Sequence, residues 1–170
     1  MKSGFSRIAA AFVLSLSPLA ALGAAPALPL PAPAWKLKGV DGTTVTSDQF
    51  KGKVVILDFW ATWCPPCRTE IPGYVALQKK YAADGLVVVG ISMDTDGTEP
   101  VKKFIKEFGI NYTVVMGNDD IVSAFSPIDG YPTTFIIDRD GLIRSKKLGR
   151  KPLADFEKDV LEVLRPPAAR

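Results

Sequence analysis

The sequence predicts an α/β domain built on a central mixed β-sheet flanked by helices. Two nearly continuous apolar runs rich in β-branched residues, 53–60 and 86–93, have the composition of strands that are buried on both faces. Strand and helix patterns alternate through the middle of the chain, and a strand pair and a last helix follow. With 170 residues, 47% of them hydrophobic and 23% charged, the chain has enough apolar material for one domain with a substantial core.

The N-terminal residues 1–23 have the pattern of a secretory signal peptide. The basic residues Lys2 and Arg7 precede a short apolar run at 8–16, and small residues follow that run after Pro18. A retained membrane anchor is the alternative, but a membrane span needs ~20 apolar residues and this run is shorter. We therefore expect an exported protein, periplasmic or otherwise extracytoplasmic, and the pattern leaves membrane anchoring open as a variant.

The next segment, 24–34, consists of Ala, Pro and Leu only, and this composition predicts an extended linker. The alternation of apolar and polar residues that is typical of a folded domain begins at Trp35. We therefore expect one domain over residues 35–165, followed by a short tail at 166–170.

The remaining elements of the domain follow from turn residues and helical spacing. Residues 35–38 and 43–46 alternate around a Val-Asp-Gly turn and predict an N-terminal hairpin. Apolar residues at helical spacing predict a helix after each buried strand, and a last helix that ends before Pro166. The segments 133–137 and 142–148 predict a strand pair joined by an Asp-Arg-Asp-Gly turn. The helical apolar positions are Ile71, Tyr74, Val75 and Tyr81, then Val101, Phe104, Ile105 and Phe108, and finally Leu153, Phe156, Val160 and Leu164.

The charge balance and the lack of histidine exclude several classes of function. Removal of Lys2 and Arg7 with the signal peptide leaves 19 basic residues against 18 acidic ones, a balance that gives no field to attract nucleic acid. The sequence has no histidine, which excludes Ser-His-Asp triads, Cys-His dyads and histidine-ligated zinc or haem. The reactive side chains that remain are two cysteines, Cys64 and Cys67.

Cys64 and Cys67 enclose two prolines directly after the buried strand, at the predicted start of a helix. A structural zinc site is disfavoured, because zinc takes four ligands and the chain has two cysteines and no histidine. A structural disulfide stays open, but closing so short a loop contributes only ~2 kcal/mol to stability. A redox-active pair is favoured, because a helix N-terminus stabilises a thiolate at Cys64 and Cys67 lies one turn further on the same side.

Two segments resemble sequences of the thioredoxin superfamily. Residues 55–67 (VILDFWATWCPPC) are similar to its active-site segment, and residues 59–67 resemble in particular the exported TlpA/ResA-like branch. Residues 130–138 (GYPTTFIID) are similar to the segment of that branch that contains a cis-proline. The resemblance covers nearly all of the predicted domain. It implies a thioredoxin fold with an N-terminal hairpin and an inserted strand–helix unit at about 98–115.

The resemblance also implies roles for residues of the site. Cys64 is the attacking cysteine and Cys67 resolves the mixed disulfide, so the two form the redox-active disulfide. Pro132 is implied to be cis and to lie beside the cysteines, where the backbone of Tyr131 offers hydrogen bonds to a substrate strand. Trp63 is a third residue that we expect to contact the substrate.

Asp58 lies in a buried strand, where a carboxylate is costly unless it titrates or is paired. In thioredoxins proper an acid at this spacing accepts the proton of the second cysteine, and the resemblance implies that role here toward Cys67. Many TlpA/ResA-like proteins carry an amide at this position, so Asp58 departs from the pattern of the branch. The alternative is an inward acid that is paired with Lys79 or Lys80.

Glu70 lies one turn after Cys67 on the same face of the predicted helix. ResA-like proteins carry a glutamate at this spacing beside the dithiol, which implies that Glu70 tunes the pKa of the thiols. The alternative is a solvated acid in the first turn, favoured by the helix dipole and paired with Arg68 or Lys79.

The resemblance implies an extracytoplasmic thiol–disulfide oxidoreductase that reduces disulfides in specific exported proteins, of the cytochrome c or copper-site maturation type. A membrane thiol transporter would supply the electrons, the chain would act as a monomer, and no metal or organic cofactor is implied. A general oxidant that introduces disulfides stays open, as does a binding module whose cysteines are not catalytic. A thiol peroxidase is disfavoured, because the Thr-x-x-Cys pattern of a peroxidatic cysteine is absent.

Overall fold

The structure is a computed structural model that describes residues 28–165. The predicted signal peptide (1–23) and the predicted tail (166–170) lie outside the described residues, as does the first part of the linker.

The described residues form an eight-stranded mixed sheet with helices packed on it. The strands are β1 Leu30–Pro31, β2 Lys36–Gly39, β3 Thr44–Thr46, β4 Val54–Trp60, β5 Leu86–Ser92, β6 Thr113–Met116, β7 Thr133–Ile137 and β8 Leu142–Leu148. The α-helices are α1 Pro65–Tyr81, α2 Thr98–Phe108, α3 Asp119–Ala124 and α4 Leu153–Leu164, and a 3-10 helix covers Ser47–Phe50. The predicted N-terminal hairpin and C-terminal strand pair are present, which confirms the predicted fold class. The insert predicted as a strand–helix unit at about 98–115 is present in the opposite order, with helix α2 before strand β6.

The order of the strands is β1-β8-β7-β4-β5-β6-β2-β3. Strand β4 lies at the centre of the sheet, parallel to β5 and antiparallel to β7. The sheet also begins earlier than the sequence predicted, because Leu30 pairs with Ile143 and Pro31 with Leu142 inside the segment that was assigned to the linker. The exposed edge of β8 offers backbone groups to these residues, and proline is tolerated on an edge strand.

All seven residues of β4 are buried, and alternate residues face opposite layers. One face belongs to a cluster of apolar residues that includes Val55, Leu57 and Phe59. On the other face, Val54 and Ile56 pack in the cluster that contains residues of α1 and α4, and Trp60 packs in the cluster that contains both cysteines. Asp58 lies between Ile56 and Trp60 in this alternation. The fold therefore places its carboxyl group on the face that α1 covers.

Helix α1 begins directly after the loop that follows β4, and its buried face holds the residues of the site. The buried positions recur every three or four residues, with Glu70 and Ile71 as neighbours, as expected for one face of a helix. They are Cys67, Glu70, Ile71, Tyr74, Leu77 and Tyr81. Two chemically active side chains, Cys67 and Glu70, therefore face the sheet in the first turns of the helix together with the hydroxyl of Tyr74.

Candidate active site

Cys64 and Cys67 form a disulfide, with their Cα atoms 5.3 Å apart, at the N-terminus of α1. Cys64 is the N-cap residue of the helix, and its sulfur accepts a hydrogen bond from the Cys67 N–H over 3.3 Å. The two prolines between them occupy the first turn, where a missing N–H costs no helical hydrogen bond. In the reduced protein this position favours a thiolate on Cys64, because the partial positive charge of the helix end stabilises it.

The disulfide itself is shielded, since Cys64 is 3% exposed and Cys67 is 1% exposed. Aromatic side chains lie at the mouth of the site. Trp63 is 63% exposed and its ring meets the ring of Tyr131 edge to face, with centroids 6.0 Å apart. The Tyr131–Pro132 peptide bond is cis, as the resemblance implied, and Pro132 itself is buried. The structure thus combines an exposed apolar surface with the cis-proline segment.

Asp58 is 2% exposed and pairs directly with Thr134 of β7, whose hydroxyl donates to Asp58 Oδ1 over 2.8 Å. Burial raises the pKa of Asp58 to about 7, although the hydrogen bond from Thr134 and the positive charge of Lys147 oppose this effect. The nearby negative charge of Glu70 raises it further. An acid whose pKa is near neutral can take up and release a proton at physiological pH, which is the property that a general base requires.

The alternative in which Lys79 or Lys80 pairs with Asp58 is wrong. Lys80 lies on the exposed side of α1 and pairs with Glu157 of α4 over 2.8 Å. Lys79 is exposed as well. The cation that acts on the Asp58 carboxyl group is Lys147 of β8, which sequence analysis did not single out.

Glu70 is buried rather than solvated, so the alternative of an exposed first-turn acid is wrong. Lys147 Nζ lies 2.9 and 2.8 Å from the two carboxylate oxygens, and the backbone N–H of Lys151 donates to Oε1 over 2.8 Å. The Tyr74 hydroxyl donates to Oε2 over 3.1 Å. Arg68, the partner that the sequence suggested, instead pairs with Glu107 over 3.5 Å.

Sequence reasoning missed three residues of this site: Tyr74, Thr134 and Lys147. Tyr74 was predicted only as an apolar position of the helix, although its spacing of four from Glu70 gave a signal that the two could touch. Thr134 and Lys147 lie 76 and 77 residues from their respective acids, so no local pattern connects them. Lys147 also stands in the basic segment 144–147, and a lysine in such a segment is ordinarily a surface residue.

Residues 28–165 contain neither a candidate metal site nor a candidate membrane span. In this range no group of three or more His, Cys, Asp or Glu side chains is arranged to hold a metal ion. Among the helices of the same range, none combines the length and the apolar character that crossing a membrane requires.

Comparison with known proteins connects this geometry to a family. Residues 30–146 match the AhpC/TSA family. The thioredoxin-like protein YneN of Bacillus subtilis is 34% identical over 128 residues, which cover 74% of each chain. The thiol-disulfide oxidoreductase ResA of Bacillus cereus is 32% identical over 127 residues, which cover 74% of this chain and 72% of ResA.

Solved structures show the same relationship. The crystal structure of a thiol:disulfide interchange protein of the thioredoxin family from Chlorobium tepidum aligns with a TM-score of 0.74 at 40% identity, covering 82% of this chain and 99% of that protein. The thioredoxin domain of a thiol-disulfide oxidoreductase from Bacteroides vulgatus aligns with a TM-score of 0.70 at 30% identity, covering 80% and 99% of the two chains.

Proposed function

We propose that this chain reduces disulfide bonds in other exported proteins. It belongs to the AhpC/TSA family and is a thiol–disulfide oxidoreductase with a thioredoxin fold. The observation that carries the proposal is the position of the Cys64–Cys67 disulfide, at a helix N-terminus and on the sheet face where Asp58 is buried. A buried acid near neutral pKa serves proton transfer, and a purely structural disulfide has no use for one.

The reaction proceeds in two thiol–disulfide exchanges. In the reduced protein the Cys64 thiolate attacks one sulfur of the substrate disulfide, which forms a mixed disulfide and releases one substrate thiolate. The Cys67 thiol then gives its proton to the Asp58 carboxylate and attacks the sulfur of Cys64. The second substrate thiol leaves, and the Cys64–Cys67 disulfide remains. Two electrons pass from the cysteine pair to the substrate, and a membrane thiol transporter is proposed to restore them.

Substrate recognition is assigned to the mouth of the site. Trp63 presents an exposed aromatic surface, and Tyr131 lies against it beside the cis-proline segment. An extended substrate segment placed along this surface would bring its disulfide to Cys64, with Pro132 closing the site from the side. This arrangement needs one chain only, which supports action as a monomer.

Export and substrate class rest on the sequence. The signal-peptide pattern of residues 1–23 supports an extracytoplasmic location, either free or membrane-anchored. The resemblance to the TlpA/ResA-like branch supports substrates that take part in cytochrome c or copper-site maturation.

Trapping of the mixed disulfide tests this function. Cys67→Ser removes the resolving thiol, so the full-length variant, expressed in the compartment to which it is exported, should accumulate mixed disulfides through Cys64. Cys64→Ser is the matched control, because it removes the attacking thiol and leaves Cys67. We expect captured proteins from the first variant alone, with their identity giving the substrate. Equal capture by both variants, or none by either, would contradict the proposal and favour a binding module.

A further inference from the structure

Two buried carboxyl groups, those of Asp58 and Glu70, are joined by a continuous chain of polar contacts. The Thr134 hydroxyl donates to Asp58 Oδ1 over 2.8 Å, and the Tyr74 hydroxyl donates to Glu70 Oε2 over 3.1 Å. Between them, the two hydroxyl oxygens lie 3.0 Å apart. Tyr74 and Thr134 are 2% and 1% exposed. The chain therefore has three links and runs from β4 through β7 to the buried face of α1.

The number of hydrogens in this chain decides how it behaves. Each hydroxyl carries one hydrogen, so the two hydroxyls supply two hydrogens for three links. When both carboxyl groups are ionised, each hydroxyl donates outward, and the contact between Thr134 and Tyr74 holds no hydrogen. Two oxygen lone pairs then face each other away from water, which is unfavourable. One further proton on either carboxyl group completes all three links, because both hydroxyls can then donate in the same direction.

We propose that this chain is a proton relay, in which the carboxyl groups of Asp58 and Glu70 share one proton through the two hydroxyls. The proton moves from one end to the other when each hydroxyl accepts a hydrogen on one side and gives one up on the other. Thr134 and Tyr74 are positioning residues of the relay, and neither gains nor loses a proton overall.

The contacts of the two carboxyl groups bias the shared proton toward the Asp58 end. Glu70 has a cation and a backbone donor as close partners: the Lys147 ammonium group, at 2.8 Å, and the backbone N–H of Lys151, also at 2.8 Å. Among residues 28–165 no cation contacts Asp58 this closely, since its short contact is the hydroxyl of Thr134 and Lys147 acts on it as a more distant charge. Burial accordingly raises the pKa of Asp58 to about 7.

Tyr74 is a link of the relay and not an end of it. Burial, and then the negative charges of Asp58 and Glu70, raise the pKa of Tyr74 well above its ordinary value, so the phenol stays protonated. A second tyrosine, Tyr112, lies close to Gly90 of β5, the residue that pairs with Asp58. A Cβ atom added at Gly90 would lie 3.3 Å from the Tyr112 ring. Burial and the charge of Asp58 raise the pKa of Tyr112 as well, but its hydroxyl is not part of the chain of contacts.

Glu70 gives the relay its outlet to solvent. Together with Tyr74, Glu70 lines a surface groove whose other walls include Thr69, Pro72 and Lys151. The step rests on the proposed function for its proton source, which is the Cys67 thiol. The proton held at Asp58 first moves to Thr134, the hydrogens of Thr134 and Tyr74 each move one link, and a proton leaves Glu70 into the groove. The Asp58 carboxylate that this produces then accepts the Cys67 proton. No electrons move in this step.

A titration of the oxidised protein tests the relay without any substrate, so its result is independent of the proposed reaction. In this form the cysteines do not titrate. Carbon-13 NMR of the Asp58 and Glu70 carboxyl carbons, assigned with Asp58→Asn and Glu70→Gln, should show the Asp58 signal titrating and the Glu70 signal responding at the same midpoint. In Tyr74→Phe the Glu70 signal should lose its response at that midpoint. The matched control, Tyr112→Phe, should keep it.

Threonine variants guard against a merely structural effect of the tyrosine change. Thr134→Ser keeps the hydroxyl and should keep the common midpoint, whereas Thr134→Val removes the hydroxyl and should abolish it. The relay is overturned if the Glu70 signal is silent through the Asp58 transition in the unmodified protein. It is equally overturned if the common midpoint persists at full amplitude in both Tyr74→Phe and Thr134→Val.

Discussion

Thr134 and Asp58 face each other directly across the antiparallel strands β7 and β4, and the threonine hydroxyl donates to the aspartate carboxyl over 2.8 Å. Thr134 lies two residues after Pro132 of the cis-proline segment, and Asp58 lies on the strand that leads to the cysteines. The pair therefore connects the two segments of the sequence that carry the resemblance. It also provides the buried carboxyl group, which is 2% exposed, with a hydrogen-bond partner.

Asp58→Asn should make stability less dependent on pH. The pKa of Asp58 is about 7 in the folded protein and ~3.9 in an unfolded chain, so the folded state binds the proton more tightly. The resulting stabilisation is fully present below pH 4 and is lost as pH rises through 7, by about 4 kcal/mol in all. Denaturant unfolding of the two oxidised proteins should show that the free energy of unfolding of the variant rises relative to that of the unmodified protein as pH increases from 4 to 8. Parallel stability curves would place the titration elsewhere.

The same variant should resolve mixed disulfides more slowly. Asp58→Asn keeps a hydrogen-bond acceptor for Thr134 but removes the group that takes the Cys67 proton, a contribution of ~10²-fold or more in rate. Release of a coloured aromatic thiol from its mixed disulfide with Cys64 reports the attack by Cys67. We expect the defect to be largest near pH 7 and to shrink as pH approaches the pKa of the Cys67 thiol. Equal rates at pH 7 would make Asp58 a bystander.

Lys147→Met should destabilise the fold although the lysine lies in a basic segment of β8. The Lys147 and Glu70 side chains are 10% and 6% exposed, and removal of one partner leaves a buried charge, which typically costs ~3–5 kcal/mol. The variant should also raise the pKa of Asp58, because it removes a positive charge that lowers it. Adding Glu70→Gln should recover part of the stability in denaturant unfolding. A loss in the double variant equal to the sum of the losses in the two single variants would show that the pair is not coupled.

Gly90→Ala should destabilise the protein where Gly73→Ala does not. A Cβ at Gly90 would lie 2.7 Å from Trp60 Nε1, and the indole is held by packing against Phe104. Overpacking of this kind costs ~1–3 kcal/mol. A Cβ at Gly73 would lie 2.9 Å from the end of the Leu153 side chain, which is half-exposed and can move, and alanine favours the helix by ~1 kcal/mol. Thermal unfolding should give a lower melting temperature for Gly90→Ala than for Gly73→Ala. The reverse order would contradict the packing described here.

The sequence predicts the elements that have a strong local pattern. The continuous β-branched runs indicated β4 and β5, and the position of Cys64 indicated the start of α1, because burial and helix capping leave marks within a few residues. The helix α3, Asp119–Ala124, is too short for a periodic pattern and was not predicted. Neither was the pairing of Leu30–Pro31 with β8, which depends on an edge more than 100 residues away.

The site divides in the same way. The cysteines, the cis-proline and the two acids follow from motifs, whereas the partners of the acids follow from the way the sheet brings distant strands together. Thr134 reaches Asp58 because β7 pairs with β4, and Lys147 reaches Glu70 because β8 lies beside β7. Side-chain contacts of this kind depend on register, which no single segment of the sequence determines.

The reduction potential of the Cys64–Cys67 pair tests the central claim most directly. Equilibration of the protein with a series of dithiol buffers, read by trapping of free thiols, gives this potential. A reductant of exported proteins should have a value of about −270 mV or lower, like thioredoxin, because its reduced form must give up electrons readily. A value near about −120 mV, typical of the strongest disulfide oxidants, would contradict the account and assign the protein to disulfide formation.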